Sequence, residues 1–205
     1  MMRRISAFET ICIVMLLALG AGCTSAVQPG LDTADLPNEL AAHAPSLQPD
    51  QLSGTVHTLV NEKRRAHGLP PLERVPDLEA VARGHSEDMA AYRYFSHVNR
   101  EGQSPSERAL ERGALKPEVK GRTVVLGVGE NLFLTHRFDH YYVDDRGQVN
   151  DVDWKSGQDI AEQAVAGWLS SPSHRDNLLS RAYDEAGIGV ALGDDFTVYI
   201  TQNLR

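Results

Sequence analysis

Cysteine is almost absent from this sequence. The only two cysteines among its 205 residues are Cys12 and Cys23, both near the N-terminus. The rest of the chain therefore has no disulfide framework and no thiol nucleophile. It is long enough to form one domain, and that domain must be stabilised by a hydrophobic core.

Basic clusters and long apolar runs are lacking too. The chain has 20 Lys and Arg against 28 Asp and Glu, a formal net charge of -8, and its basic residues are scattered. We expect no nucleic-acid partner, because binding to a phosphate backbone needs a basic patch. The apolar run over residues 11–19 is too short to span a bilayer comfortably.

The N-terminus has the pattern of a bacterial lipoprotein signal. Arg3 and Arg4 precede the apolar run, and the small residues Gly20-Ala21-Gly22 stand directly before Cys23. This pattern predicts a signal peptide over 1–22, cleavage before Cys23, and lipidation of that cysteine, palmitate included. Gly20 stands where such signals usually have a large aliphatic residue. The alternative is an ordinary secretory signal cut nearby, with Cys23 an incidental thiol.

Lipidation of Cys23 would anchor the exported protein to a membrane of the cell envelope. Thr24 stands where an aspartate commonly retains lipoproteins at the inner membrane, so in a Gram-negative host the outer membrane is expected. Residues 23–50 contain four prolines and show no lasting apolar period. We interpret them as the lipidated cysteine followed by a flexible tether, with the folded domain over 51–205.

Apolar residues recur at helical spacing in several parts of 51–205. They predict a helix from 51 to about 67, a second after Pro76, a short third over 105–112 and another around 160–169. Ser171-Pro172 is typical of the N-cap and first residue of one more helix.

Alternating or β-branched apolar residues predict the strands. One strand is expected over 123–126, and an antiparallel pair over 188–192 and 196–200. Residues 133–158 are interpreted as an insertion that contains a hairpin turning at 144–147. Helices followed by a final strand pair indicate a sheet flanked by helices, an α/β sandwich.

Six short motifs occur in order along this domain and carry a family resemblance. They are Asn61-Glu62-Lys63-Arg64 with Gly68-Leu69-Pro70-Pro71-Leu72, Phe95-Ser96-His97, Gly129-Glu130-Asn131-Leu132, the run from Trp168 through Ser171-Pro172-Ser173-His174 to Leu179, Gly187-Ile188-Gly189-Val190, and Tyr199-Ile200-Thr201-Gln202-Asn203. Together they resemble the CAP superfamily (cysteine-rich secretory proteins, antigen 5, pathogenesis-related 1) in its bacterial, cysteine-poor branch. The resemblance implies a three-layer α-β-α sandwich with a mainly antiparallel central sheet.

The resemblance also implies a polar cavity. His97, Glu130 and His174 match the positions of residues that line it in the family, where a divalent metal such as zinc is sometimes bound. Ser171 stands where eukaryotic members have a second acidic residue. Two imidazoles and one carboxylate are a plausible zinc ligand set, but they are equally consistent with hydrogen bonds across the sandwich.

Neighbouring residues have structural interpretations. Asn131 is expected to tie loop backbone, Trp168 to anchor the core, and Ser171 to cap a helix. His85 shares a helix face with apolar residues and is expected at the edge of the core. His136 and His140, in the insertion, lie where they could reach the mouth of the cavity.

Three functions remain open at this point. The favoured one is a non-enzymatic module that binds a small apolar ligand or a protein partner, with an apolar lining from Tyr92, Tyr94, Phe95, Leu132 and Phe133. The second is a metal-dependent hydrolase, a peptidase, acting through His97, Glu130 and His174. The third is an interaction protein that recognises its partner through 133–158. The missing second carboxylate argues against the hydrolase, because it removes a general acid or base.

Overall fold

The computed structural model describes residues 3–6, 41–115, 118–120, 123–125 and 127–205, with side chains described in 41–115 and 127–205. The predicted cleavage site at Cys23, most of the predicted tether and Leu126 lie outside the described residues. The described helices are α1 (Pro49–Ala66), α2 (Pro76–Tyr92), α3 (Pro105–Glu111), α4 (Gly157–Ser170) and α5 (Pro172–Leu178). The described strands are β1 (Arg3–Ser6), β2 (Glu73–Arg74), β3 (Glu118–Lys120), β4 (Thr123–Val125), β5 (Gly129–His136), β6 (Phe138–Val143), β7 (Val149–Trp154), β8 (Glu185–Leu192) and β9 (Thr197–Leu204).

Local sequence signals set the helix ends. Proline occupies the first turn of α1, α2, α3 and α5, where its missing N–H costs nothing. Capping boxes begin α3 and α4, because Ser104 and Ser156 exchange hydrogen bonds with the residue three positions later. Helix α1 begins at Pro49, two residues before the predicted start, because that proline is its first helical residue.

A four-stranded sheet in the order β2-β8-β9-β5 forms the centre of the domain. Strands β8 and β9 pair antiparallel with Val190 opposite Ile200, and β5 pairs antiparallel with β9, placing Glu130 opposite Asn203. Only the short β2 runs parallel to its neighbour β8 among the described strands of this sheet. The mainly antiparallel central sheet is therefore confirmed.

Helices cover both faces of this sheet. On one face α1 and α4 build the largest core cluster, in which Val56 and Trp168 pack against Ile188 and Ile200. On the other face α2 packs along β8 and β9 and contributes Leu78, Val81 and Met89 to two smaller clusters. The three-layer α-β-α sandwich is confirmed.

The predicted insertion is smaller than expected. The segment 133–136 belongs to β5 and pairs with β9 in the central sheet, so the separate unit begins at Phe138. Strands β6 and β7 form a hairpin around its own cluster of Phe138, Val149, Val152 and Phe196. The predicted boundary is wrong because residues 133–136 continue β5. Apolar spacing alone does not show which strand such a segment pairs with.

Two observations concern the N-terminal part of the chain. Strand β1 pairs antiparallel with β6, and cleavage before Cys23 would remove it. Part of the predicted tether contacts the domain, because Leu47 packs on the main core and Ala41 on the hairpin cluster. Among the described residues, no helix is both long and apolar enough to cross a bilayer.

Candidate functional site

The structure brings His97 and Glu130 into direct contact. His97 lies in the loop between α2 and α3, and Glu130 is the second residue of β5. His97 Nδ1 lies 2.9 Å from Glu130 Oε1, and because a carboxylate only accepts, Nδ1 is the donor. The His97 side chain is 49 % exposed and that of Glu130 is 1 % exposed, so a buried carboxylate orients a half-open imidazole.

Arg108 is the functional residue that the sequence analysis missed. Its Nη2 donates to Glu130 Oε2 over 2.5 Å, and its Nη1 donates to the carbonyls of His97 and Gln103 over 2.8 and 2.9 Å. A buried carboxylate is stable only with a counter-charge and hydrogen bonds, and Arg108 supplies both. Because a buried glutamate needs a cationic partner, a search of the nearby helices for an arginine could have identified Arg108 from the sequence.

His174, the third member of the predicted trio, lies near His97. It lies in the first turn of α5, and the centroids of its ring and the His97 ring are 6.4 Å apart. The pKa of His174 is below its ordinary value, first because burial disfavours the charged form and second because of His97. The neutral imidazole is therefore the favoured form of this side chain.

Two asparagines hold α5 against β5. Asn131 Nδ2 donates to the carbonyl of His174 over 3.1 Å, and Asn177 Nδ2 donates to the carbonyl of Glu130 over 3.2 Å. Asn177 also donates to Asn131 Oδ1 over 3.0 Å. Asn131 does bind backbone, as expected, but from a strand to a helical turn rather than within a loop. This pair fixes the distance between the elements that carry Glu130 and His174.

The other residues singled out in the sequence have mainly structural positions. Trp168 is 1 % exposed and donates from Nε1 to the carbonyl of Leu132 over 2.9 Å, so it lies in the core. Ser171 is both the last cap of α4 and the N-cap of α5, but its hydroxyl makes no capping hydrogen bond. The main chain of Ser171 bonds to both helices instead. Its N–H donates to the carbonyl of Gly167, and its carbonyl accepts from the Arg175 amide.

The other histidines singled out in the sequence are not members of this trio. His85 is 2 % exposed, deeper than the core edge where it was expected, and bonds through Nε2 to the carbonyl of Ser96 over 2.8 Å. His136 is buried beside Phe138 and lies six residues from Glu130 along β5, about 20 Å at the usual rise of a strand. His140 lies on β6, 3.6 Å from Asp153.

The donor atoms of the trio decide whether it fits a metal ion. Among the described residues, no group of three or more His, Cys, Asp or Glu side chains is arranged to hold a metal ion. Both oxygens of Glu130 are engaged, one of them by a guanidinium that opposes a second cation. The two imidazoles suit zinc, but Glu130 in this arrangement does not fit as its third ligand.

Burial of histidines predicts a pH dependence of stability. Burial is the main cause of a lowered pKa in four of them, which are His57, His85, His136 and His174. Below the ordinary value of 6.5 the unfolded chain therefore binds more protons than the folded protein. The free energy of unfolding should be highest above that pH and fall as the pH is lowered.

Urea titrations at several values between about pH 7.5 and pH 5 would measure this slope. A His85→Gln variant should have a shallower slope than the wild type. The matched variant of the exposed His67, His67→Gln, should keep the wild-type slope. An unfolding free energy that stays flat or rises as the pH falls below 6.5 would contradict the prediction.

Comparison with known proteins defines the class of the domain. The family model described as "Cysteine-rich secretory protein family", CAP, matches residues 57–204. The chain therefore belongs to the CAP family.

Two proteins of Bacillus subtilis are similar in sequence to this chain. YlbC of Bacillus subtilis, described as an uncharacterized membrane protein, is 33 % identical over 145 residues, covering 71 % of this chain and 32 % of YlbC. YkwD of the same organism is 27 % identical over 131 residues, covering 64 % of this chain and 39 % of YkwD. The chain thus spans about a third of the length of these relatives.

Two solved structures share the fold. An extracellular protein with an SCP domain from Bacillus anthracis has 27 % identity and a TM-score of 0.54, with 76 % of this chain and 40 % of that chain covered. An outer surface protein of Borrelia burgdorferi has 17 % identity and a TM-score of 0.56, with 78 % and 96 % covered. The second similarity concerns the fold alone.

Proposed function

We propose that this protein is a lipid-anchored CAP-domain module of the cell envelope that binds a protein or peptide partner at the surface around His97. The observation that carries the proposal is the double engagement of Glu130, by His97 on one oxygen and Arg108 on the other. This arrangement positions a half-exposed imidazole and leaves its Nε2 facing away from the carboxylate. Such a group suits recognition, because it accepts a hydrogen bond from a partner.

Exposed apolar residues beside His97 support a macromolecular partner. Tyr92, Phe95 and Val98 are 56 %, 39 % and 48 % exposed, and they flank His97 in the same segment. The apolar lining expected for a small ligand is not assembled as one surface. Leu132 packs with Met89 and Tyr199, whereas the next residue, Phe133, packs against the main core, because adjacent strand residues point to opposite faces.

The anchor is part of the same proposal. Its support is the N-terminal pattern ending at Cys23 and the similarity to the Bacillus anthracis protein, which is described as extracellular. Lipid attached to Cys23 would hold the domain at the membrane through the segment before Pro49. In a Gram-negative host we place it at the outer membrane.

The partner surface is tested by site-specific photocrosslinking in cells. With a photoreactive amino acid in place of Val98, irradiation should produce a discrete higher-mass adduct. The matched position is Leu110 on α3, which is 63 % exposed and should give no adduct. The Phe95→Ser variant should remove the Val98 adduct by weakening the apolar contact. Equal adducts at both positions, or none at Val98, would count against the proposal.

The second candidate function is a metal-dependent hydrolase, a peptidase, using His97, Glu130 and His174. The His97–Glu130 pair favours hydrolysis, because a carboxylate-oriented imidazole is the arrangement of a general base, and Glu130 would then orient His97 rather than bind the metal. Elemental analysis of the purified protein, dialysed without chelator, beside a His97→Ala/His174→Ala variant separates the two functions. We expect no stoichiometric metal in either; near-stoichiometric zinc lost in the variant would instead support the hydrolase.

A further inference from the structure

The outer edge of β6 is covered by a strand that the mature protein is expected to lack. Strand β1 pairs antiparallel with β6 over four consecutive residues, from Arg3 opposite Val143 to Ser6 opposite His140. Among the described strands, no other one lies on this edge of the sheet β1-β6-β7. Cleavage before Cys23 would remove β1, and the main-chain N–H and C=O groups on that side of β6 would then lose their partners.

The hairpin that remains would be stabilised by a third strand. Its hydrophobic cluster is small, with Phe138, Val149, Val152 and Phe196 as its buried members. A hairpin of two strands is marginally stable by itself, and a third strand adds hydrogen bonds and buried surface. The regular four-residue pairing of β1 with β6 shows that the backbone of this edge has the geometry to accept one.

The two faces of β6 differ in their chemistry. Tyr141 and Val143 pack against the hairpin cluster, so one face is apolar. On the other face the Tyr142 hydroxyl donates to Asp153 Oδ2 over 2.9 Å, and His140 Nδ1 lies 3.6 Å from the same carboxylate. Because strand residues alternate between faces, an added strand would meet the apolar face and the polar face with alternate residues.

The polar face is acidic. Asp151 is exposed and stands opposite Tyr142 in the pairing of β6 with β7, and the Asp153 side chain is 48 % exposed. Of the hairpin carboxylates, that of Asp139 lies 3.3 Å from Lys155 Nζ. Residues 138–154 contain one arginine, Arg146, against five aspartates, which are Asp139, Asp144, Asp145, Asp151 and Asp153. The hairpin therefore attracts cations, and two of the four residues of β1 are arginine.

Two occupants supplied by this chain itself fit less well. A second copy, paired antiparallel over the same four residues of β6, would place its Asp144 opposite Asp139, and like charges directly opposite are destabilising. The predicted tether, over residues 24–40, has three acidic residues and no Lys or Arg. It would add negative charge to an acidic face. Charge complementarity therefore favours a basic segment from another protein.

We propose that in the mature protein the outer edge of β6 binds an extended basic segment of another protein, added as an antiparallel strand over the four residues that β1 covers. Main-chain hydrogen bonds hold this segment. Its apolar residues meet the face of Tyr141, and its Lys or Arg residues meet the face of Asp151 and Asp153. This surface depends on the cleavage before Cys23 that the proposed function includes, and it is separate from the surface around His97.

The test is an NMR titration of the mature lipoprotein, purified in detergent after mass spectrometry has shown that residues 1–22 are absent. The probe is a synthetic peptide of residues 1–8, which contains the sequence of β1. It should shift the amide resonances of β6 with a millimolar dissociation constant, and added salt should weaken its binding because the attraction is partly ionic. A peptide with glutamine in place of Arg3 and Arg4 should bind about tenfold more weakly.

Backbone methylation distinguishes an added strand from a purely ionic contact. One peptide is N-methylated at Arg3 and Ile5, and the other at Arg4 and Ser6. Alternate residues of a strand direct their N–H groups to opposite sides, so only the peptide whose methyl groups face β6 should lose binding.

Matched variants locate the binding on the hairpin. Asp151→Asn/Asp153→Asn should weaken peptide binding about tenfold, because asparagine keeps the size and one acceptor oxygen of each side chain but not its charge. Asp176→Asn/Asp184→Asn makes the same change of charge at two exposed positions outside the hairpin and should leave binding unchanged.

The proposal would be overturned by unshifted β6 amides, by equal binding of the two methylated peptides, or by wild-type binding to the hairpin variant. Slow hydrogen exchange, without peptide, of the β6 amides that do not pair with β7 would also overturn it. The edge would then already be covered by residues 24–40 or by a second copy. If residues 1–22 are retained, the anchor and this surface both fail, whereas the adduct at Val98 still tests the surface around His97.

Discussion

Replacing Gly189 by alanine should destabilise the domain by about 3 kcal/mol, the upper end of what overpacking a core typically costs. A Cβ at this position would lie 2.0 Å from the backbone nitrogen of Arg83 and 2.2 Å from the backbone carbon of Ala82. Both atoms belong to the main chain of α2, so no flexible side chain can move aside. Helix α2 would have to shift away from β8, opening the contact that covers this face of the sheet.

The measurement is the free energy of unfolding from urea titration, with Gly54→Ala as the control. Gly54 lies inside α1, and its added Cβ would meet only Arg74 Nη1, at an ordinary 3.5 Å. That variant should be neutral or up to about 1 kcal/mol more stable, because alanine favours a helix over glycine. A Gly189→Ala protein as stable as the wild type would show that α2 does not pack on β8 this closely.

Replacing Arg64 by methionine should cost about 3–5 kcal/mol. Arg64 is fully buried and donates to four carbonyls, those of Pro70, Leu178, Ser180 and Tyr183. Methionine has a similar length but no donor, so these buried and part-buried carbonyls would lose their hydrogen-bond partner. Because three of them lie between Leu178 and Tyr183, the loss should also loosen the end of α5 and the chain that follows it.

Arg65→Met is the matched control for this prediction. Arg65 is the next residue of α1 and is exposed, so its removal should change the unfolding free energy by less than about 0.5 kcal/mol. Hydrogen exchange of the amides after Leu178 provides a second measurement. Equal stability of the two variants would mean that Arg64 does not support the carbonyls as described.

The motif Gly187-Ile188-Gly189-Val190 illustrates how far sequence reasoning reached. Its alternation predicted a strand, and β8 is that strand. Ile188 and Val190 face the core built by α1 and α4, whereas the two glycines face α2. The pattern indicated two faces of the strand. It did not show that the backbone of α2 packs directly against the face that carries the glycines.

The sequence predicted which residues belong to the candidate site, but not the hydrogen bonds between them. His97 and Glu130 are 33 positions apart and were matched through family resemblance, since no periodicity connects them. Arg108 was not predicted because nothing in the local sequence distinguishes it from other arginines on short helices. Only the packing of α3 against β5 places its guanidinium on Glu130.

Sequence by itself determined the class of this protein: the helix starts at prolines and capping boxes, the alternating strands β8 and β9, and the six motifs of the family. These depend on local conformational preference and on period, which a chain carries in its order of residues. The tertiary structure decided where β5 ends and the hairpin begins, which side chains are buried without partners, and that Glu130 is held by both His97 and Arg108. Those properties arise from contacts between segments distant in the chain, and their energies depend on burial that exists only once the layers have packed.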